Sequence, residues 1–395
     1  MKTLSTQAMY IDSPVLAALN QVQPYYLSGI FNNTETTVFM RWNALIKIQG
    51  LFAKLPENLN ILKVHTKNIG NLPVVKGGVQ FYPFNSKSNF NAVANRDVFH
   101  VLTLHGESNK SASFKPAARI YDYVTIAGPL ARDRYLQAGI FNQRDADNGR
   151  LVMMGDSFVQ SMPYLRAASQ QSQNPAVMYC PTWEGYGAKT NNYSSISEGF
   201  GFKAVESSAR ILNIKRICIK PHPYMGLLQP KILRAFTAGL RELSSKGFQI
   251  EILSSESNFF AQAAFKLLAP NIPNLSPSSD QPIDIALGIC DISAMESVFL
   301  KQGIHHLTIG NLKYIPHQIH HFYKRKSLTS DENREAKLEN YLTSADEIDA
   351  YHRAEVFGWH DSKLEAMSLA DRNKWLIDYV QGDPFWSKKS KAQVK

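Results

Sequence analysis

From about residue 98 onward, short apolar runs alternate with stretches of helical period. The runs 98–104, 123–127, 151–154, 177–180, 216–219, 248–253 and 283–290 are rich in Val, Ile, Leu and Tyr and read as strands. Between them, 129–138, 158–168, 203–212, 230–246, 256–268 and 294–302 read as helices. Such alternation builds parallel sheets with helices on both faces. The first 95 residues give weaker signals, with strands expected only at 61–64 and 79–84, and 328–380 looks helical. The polar stretch 168–175 reads as an interdomain linker, and 187–197 as a long loop of the functional kind. The expected architecture is α/β, with two Rossmann-like domains facing across a cleft. They would occupy 1–170 and 171–360, with a helix and basic tail over 361–395.

Composition narrows the picture. Of 395 residues, 44% are hydrophobic and 19% charged, which excludes a disordered chain. The formal charge of +10 points to an anionic partner, or simply to a solubilising surface. Basic residues cluster at Lys324, Arg325 and Lys326. They cluster again in a tail with Lys388, Lys389, Lys391 and Lys395 beside Phe385 and Trp386, a combination suited to an acidic lipid surface or to a solvated tail. Cys180, Cys218 and Cys290 sit at or near the ends of apolar runs without CxxC spacing, as buried thiols of a reducing compartment do. The first ten residues lack a long apolar core and no run approaches a membrane span, so a cytoplasmic protein is expected, peripheral at most to the inner face of a membrane.

In open parallel sheets ligands bind beyond the carboxyl ends of the strands, so a motif counts when it follows a strand. Four do. His105-Gly106-Glu107 with Lys110 follows the 98–104 run. A neutral imidazole there can take a proton from a hydroxyl, Glu107 can orient it, and Lys110 can meet a phosphate. The other reading of His105 is an ordinary loop histidine. Pro181-Thr182-Trp183 follows 177–180, where Trp183 either flanks a base or acceptor or packs in the core. Lys220-Pro221-His222-Pro223 follows 216–219; two prolines fix a Lys and a His at little entropic cost, an arrangement suited to a diphosphate or to a stiff turn. Asp291-Ile292-Ser293-Ala294-Met295-Glu296 follows 283–290 and opens a helix. Ser293 and the helix N-terminus suit a phosphate and Glu296 a ribose, while Ser293 and Glu296 also have capping-box spacing. His305, His306, His317, His320 and His321 crowd one segment, but without the Cys or carboxylate partners at tight spacing that a zinc site needs.

Together, the order of these four elements resembles the CDP-glycerol glycerophosphotransferase family, the polymerases and primases of teichoic acids and related capsules. Asp122-Tyr123 with Gly128, and Met154-Gly155-Asp156, also look like family elements. The resemblance covers about residues 98–310. It implies a GT-B fold with an acceptor-side N-terminal domain and a C-terminal domain that binds the nucleotide donor. It makes His105 the general base, with His222 also catalytic; Glu107 joins the catalytic set from the reading of the residues alone, as the group that would orient His105. Lys220, Asp291, Ser293, Ala294, Glu296, Pro181 and Thr182 would hold the donor. Lys110 and Trp183 would meet acceptor or phosphate. It implies transfer of an alditol phosphate from a CDP-linked donor to a hydroxyl of an anionic polymer or saccharide, releasing CMP. No nucleic acid, cofactor or metal is required. The alternative is a GT-B glycosyltransferase using a nucleotide sugar in surface polysaccharide synthesis. The chain departs from the family at Glu107-Ser108 (usually Thr-Pro), at Glu184 (often Arg) and at Ala294 (usually Ser).

Overall fold

The computed structural model describes residues 5–13, 16–49, 55–104, 106–110, 114–185, 193–196, 199–226, 229–253, 270–275, 280–310, 319–328 and 333–383. The chain divides into two compact units. Unit 1 comprises Met1–Glu107, Phe114–Gln160 and Val356–Lys395; unit 2 comprises Ser108–Ser113 and Ser161–Glu355.

Unit 1 is built on seven parallel strands: β1 (Ser5–Ile11), β2 (Thr36–Arg41), β3 (Ile61–Val64), β4 (Val74–Tyr82), β5 (Phe99–Leu102), β6 (Tyr123–Ile126) and β7 (Leu151–Met153). Their order is β3-β2-β1-β4-β5-β6-β7, the doubly wound arrangement, with the chain reversing its direction across the sheet between β1 and β4. Unit 2 holds β8 (Leu165–Ala167), β9 (Ala176–Cys180), β10 (Arg216–Ile219), β11 (Gln249–Leu253), β12 (Asn274–Leu275), β13 (Ile283–Asp291), β14 (His306–Ile309) and β15 (Ser327–Leu328). Here the order is β12-β11-β10-β9-β13-β14-β15, with β8 pairing on β13 and the reversal falling between β9 and β13. Every residue of β5, β6, β9 and β14 is buried, as expected for strands covered on both faces. In β9 and β13, Cys180 and Cys290 are register partners, and burial raises both thiols above their ordinary range.

The expected helix over 158–168 does not form. Pro163 interrupts it, and Leu165–Ala167 extends to pair with β13 instead. The helix expected at 256–268 lies outside the described residues. The weak N-terminal signals hide β1, β2 and the helix Leu16–Leu27, which carries Pro24 in its interior.

The chain returns to unit 1 at Val356 and lines the ends of β6 and β7. The Gly358 N–H donates to Ala127 O at 2.8 Å, Gly155 N–H to Gly358 O at 2.8 Å, and His360 N–H to Met153 O at 2.8 Å. A Cβ on Gly128 would lie 2.5 Å from Gly358 N, and one on Gly155, where φ is +56°, would lie 2.2 Å from the Trp359 ring. Arg372, on the helix Leu369–Gln381, stacks 4.4 Å over Trp359 and pairs with Asp156 at 2.7 Å. That helix buries Leu376 and Val380 in the unit 1 core.

Candidate functional site

The three motifs of unit 2 converge because β10, β9 and β13 are neighbours in one parallel sheet and end at the same edge. At the reversal between β9 and β13, Asp291 ends its strand fully buried. Its carboxylate accepts the Thr182 N–H at 2.6 Å and the Ser195 N–H at 3.3 Å. Burial pushes the Asp291 carboxyl upward from its usual range. Pro181 and Thr182 are buried beside it, and Lys110 donates its ammonium to Thr182 Oγ1 at 2.5 Å while lying 5.6 Å over the Tyr193 ring. Burial lowers the Lys110 ammonium, against the opposing pull of Asp291 and Glu296. Lys110 belongs to unit 2, although Gly106 and Glu107 belong to unit 1.

Glu296 is 6% exposed and its carboxylate is engaged by the protein. It accepts the Ser293 N–H at 3.0 Å, the Tyr323 hydroxyl at 3.3 Å and the Thr308 hydroxyl at 3.4 Å. Burial pushes its carboxyl up to about 7. Asn109 extends the chain of contacts by donating to Tyr323 Oη at 2.8 Å. Ser293 Oγ accepts the Met295 N–H at 3.3 Å, and Ala294 is the N-cap residue of the seven-residue helix Met295–Lys301. The carboxylate of Glu296 and the hydroxyl of Ser293 thus each take an N–H at the start of this helix. Tyr323, Thr308, Ser195 and Asn109 complete the cluster. Their partners lie far away in sequence, so no local signal marks them.

Lys220 leaves β10 with its N–H on Tyr179 O at 2.8 Å, and burial lowers its ammonium. His222 accepts the Tyr224 N–H on Nδ1 at 3.1 Å. A backbone N–H only donates, so the neutral ring carries its proton on Nε2. Trp183 stacks on His222 at 5.8 Å with 16° between the planes, and Tyr224 closes the aromatic group at 5.4 Å from Trp183. Glu184, next to Trp183, is 2% exposed and accepts the N–H groups of Gly226 and Gln229, each at 3.0 Å. An arginine here has donors only and makes neither bond.

In unit 1, His105 lies outside the described residues. Leu104 before it has φ +58°, a conformation that a leucine seldom adopts without cause. A small recess opens beyond β5 and β6, lined by Thr103, Leu104, Glu107, Ala127, Gly155 and Phe158. The Glu107 carboxylate accepts the Arg134 guanidinium at 2.5 Å and the Ala127 N–H at 3.4 Å. Among the described residues, no three His, Cys, Asp or Glu side chains group as metal ligands, and no helix is long and apolar enough to cross a membrane. The aromatic and basic tail falls outside the described residues.

No protein-family model matches the chain, and no curated protein matches it in sequence. Solved structures do match. A Listeria monocytogenes structure assigned as a UDP-N-acetylglucosamine 2-epimerase superposes with a TM-score of 0.51 at 10% identity, over 95% of this chain and 96% of that one. The chain has the GT-B fold. Two further GT-B structures superpose less closely. Anabaena HepE in complex with UDP gives a TM-score of 0.49 at 8% identity, over 95% and 100% of the two chains. Acinetobacter baumannii MurG gives 0.42 at 11% identity, over 95% and 99%. The likeness is one of fold.

Proposed function

We propose that this GT-B chain is a group transferase whose unit 2 binds a nucleotide-activated donor at the ends of β9, β10 and β13. One observation carries the reading: Thr182 and Asp291 are hydrogen-bonded where the strand order reverses, and Lys220 and His222 follow the adjacent strand β10 at the same edge, which is where open parallel sheets hold ligands. Lys220 and the Nε2–H of His222 supply a charge and a directional donor for the diphosphate. The donor class first in line is a nucleotide sugar, in keeping with the epimerase that shares the fold. The acceptor hydroxyl then bonds to the anomeric carbon, the bond from that carbon to the diphosphate oxygen breaks, and the nucleoside diphosphate leaves.

A second reading is favoured by the order of the His105-Gly106, Pro181-Thr182-Trp183, Lys220-Pro221-His222 and Asp291-Ile292-Ser293 elements. Here the acceptor oxygen bonds to the distal phosphorus of a CDP-linked alditol such as CDP-glycerol, the pyrophosphate bridge breaks and CMP leaves. In both readings His105 takes the acceptor's proton, an effect worth roughly 10²- to 10⁴-fold. The test is a panel of UDP- and CDP-linked donors, read by nucleotide release and product linkage. A glycoside with a nucleoside diphosphate supports the first reading, and a phosphodiester with CMP the second. Release of no nucleotide from any donor rejects both.

A further inference from the structure

We propose that Glu184 is the positioning residue for His222: its buried carboxylate anchors the loop that carries the imidazole, and so sets which ring nitrogen faces the nucleotide. This rests on the reading that unit 2 binds a nucleotide through Lys220 and His222.

A carboxylate that is 2% exposed needs strong partners, and Glu184 has two backbone donors that face it from one loop, Gly226 N and Gln229 N, at 3.0 Å each. Gln229 is the N-cap of the sixteen-residue helix Pro230–Ser245, and its own side chain makes no cap hydrogen bond. Glu184 therefore sits at the positive end of that helix and satisfies it from another segment. The anchor is tight. Gly226 has φ +76°, and a Cβ there would lie 2.3 Å from Leu233 Cγ.

From this anchor the chain runs back to the ring in three residues. Met225 N–H closes a turn on His222 O at 2.9 Å, and Tyr224 N–H holds Nδ1 at 3.1 Å. On the other side, Trp183 stacks on the ring. The two restraints on the imidazole, Tyr224 and Trp183, thus lie within two residues of the two ends of one carboxylate clamp. Its outcome is a neutral ring held in one tautomer, with its proton on Nε2. Glutamine at 184 keeps one acceptor and turns an NH₂ group toward a backbone N–H.

The experiment uses the full chain with ¹⁵N-labelled histidine, in wild-type, Glu184→Gln, His222→Ala and double-variant forms, with UDP and CDP as ligands in calorimetry. We expect His222 of the wild type to show an unprotonated Nδ1 and a protonated Nε2. In Glu184→Gln the two tautomers mix, nucleotide affinity falls about tenfold, and the double variant binds no more weakly than His222→Ala alone. Unchanged ring signals in folded Glu184→Gln, or shifted signals with unchanged affinity, overturn the proposal. Should the wild type bind neither nucleotide while Glu184→Gln still mixes the tautomers, the functional reading fails and the positioning role stands. If Glu184→Gln does not fold, Glu184→Asp replaces it. The shorter acid reaches one N–H, and unchanged ring signals in that variant overturn the proposal equally.

Discussion

The two sheets use similar residues at their carboxyl ends for different purposes. In unit 1, Gly128, Gly155 and Asp156 each follow a strand, as residues of a phosphate loop would, yet all three are taken up by the protein itself. Gly128 and Gly155 admit residues 358 and 359 at backbone distance, and Asp156 holds Arg372. In unit 2 the corresponding edge receives no returning segment of this kind among the described residues. It gathers Thr182, Lys220, His222 and Asp291 instead, held by backbone N–H groups and aromatic stacking. A glycine or aspartate after a strand is therefore ambiguous until its occupant is known. The occupant of the unit 1 motifs is the end of the same chain.

This contrast can be broken by experiment. The largest effect is expected from Gly155→Val, which places a branched side chain at φ +56° against Trp359. It should destabilise unit 1 by about 4 kcal/mol, read as lost amide protection in β6 and β7, while β9 and β10 keep theirs. Equal loss in both sheets would show that the units do not unfold separately.

A comparable change is expected from pH in unit 2. The Glu296 carboxyl lies at about 7 in the folded chain and about 4.3 when unfolded, so the folded form holds the extra proton between these values. Its contribution to stability is full at low pH and declines as pH rises from about 4.5 to 7, by roughly 3 kcal/mol. Glu296→Gln should make that part of the denaturation profile shallower, the remaining slope coming from the buried Asp291 carboxyl; an unchanged slope would place the titration elsewhere. Arg372→Met removes the ion pair with Asp156 and the stack on Trp359, and should cost unit 1 about 2 kcal/mol in chemical denaturation without changing nucleotide affinity. The smallest effect sharpens the other side of the comparison. Lys220→Met should weaken UDP or CDP binding about tenfold, with the unit 1 transition unmoved.

The seven strands expected from residue 98 onward were legible to within two residues, whereas the short strands β8, β12, β14 and β15 were not expected at all. Continuous apolar runs such as Ala-Val-Met-Tyr-Cys in β9 carry a strong signal when both faces are covered. Ser5–Ile11 is polar at its start, and Leu16–Leu27 contains a proline and little amphipathic contrast, so neither stood out. The reading of 158–168 as a helix gave its apolar spacing more weight than Pro163. At the site, the residues after strands could be found by position alone. The roles of Glu184 and Glu296 could not, because they depend on donors at residues 226, 229, 308 and 323 that only the sheet order brings near.

Unit 1 is discontinuous in the chain, and this has a consequence for its biosynthesis. A ribosome delivers β1 to β7, then all of Ser161–Glu355, before residues 356–381 emerge to cover β6 and β7 and fill the core with Leu376 and Val380. The half made first is thus completed last. During translation its open edge waits while the later half assembles, and in that interval a chaperone would find its longest-lived target in the N-terminal sheet.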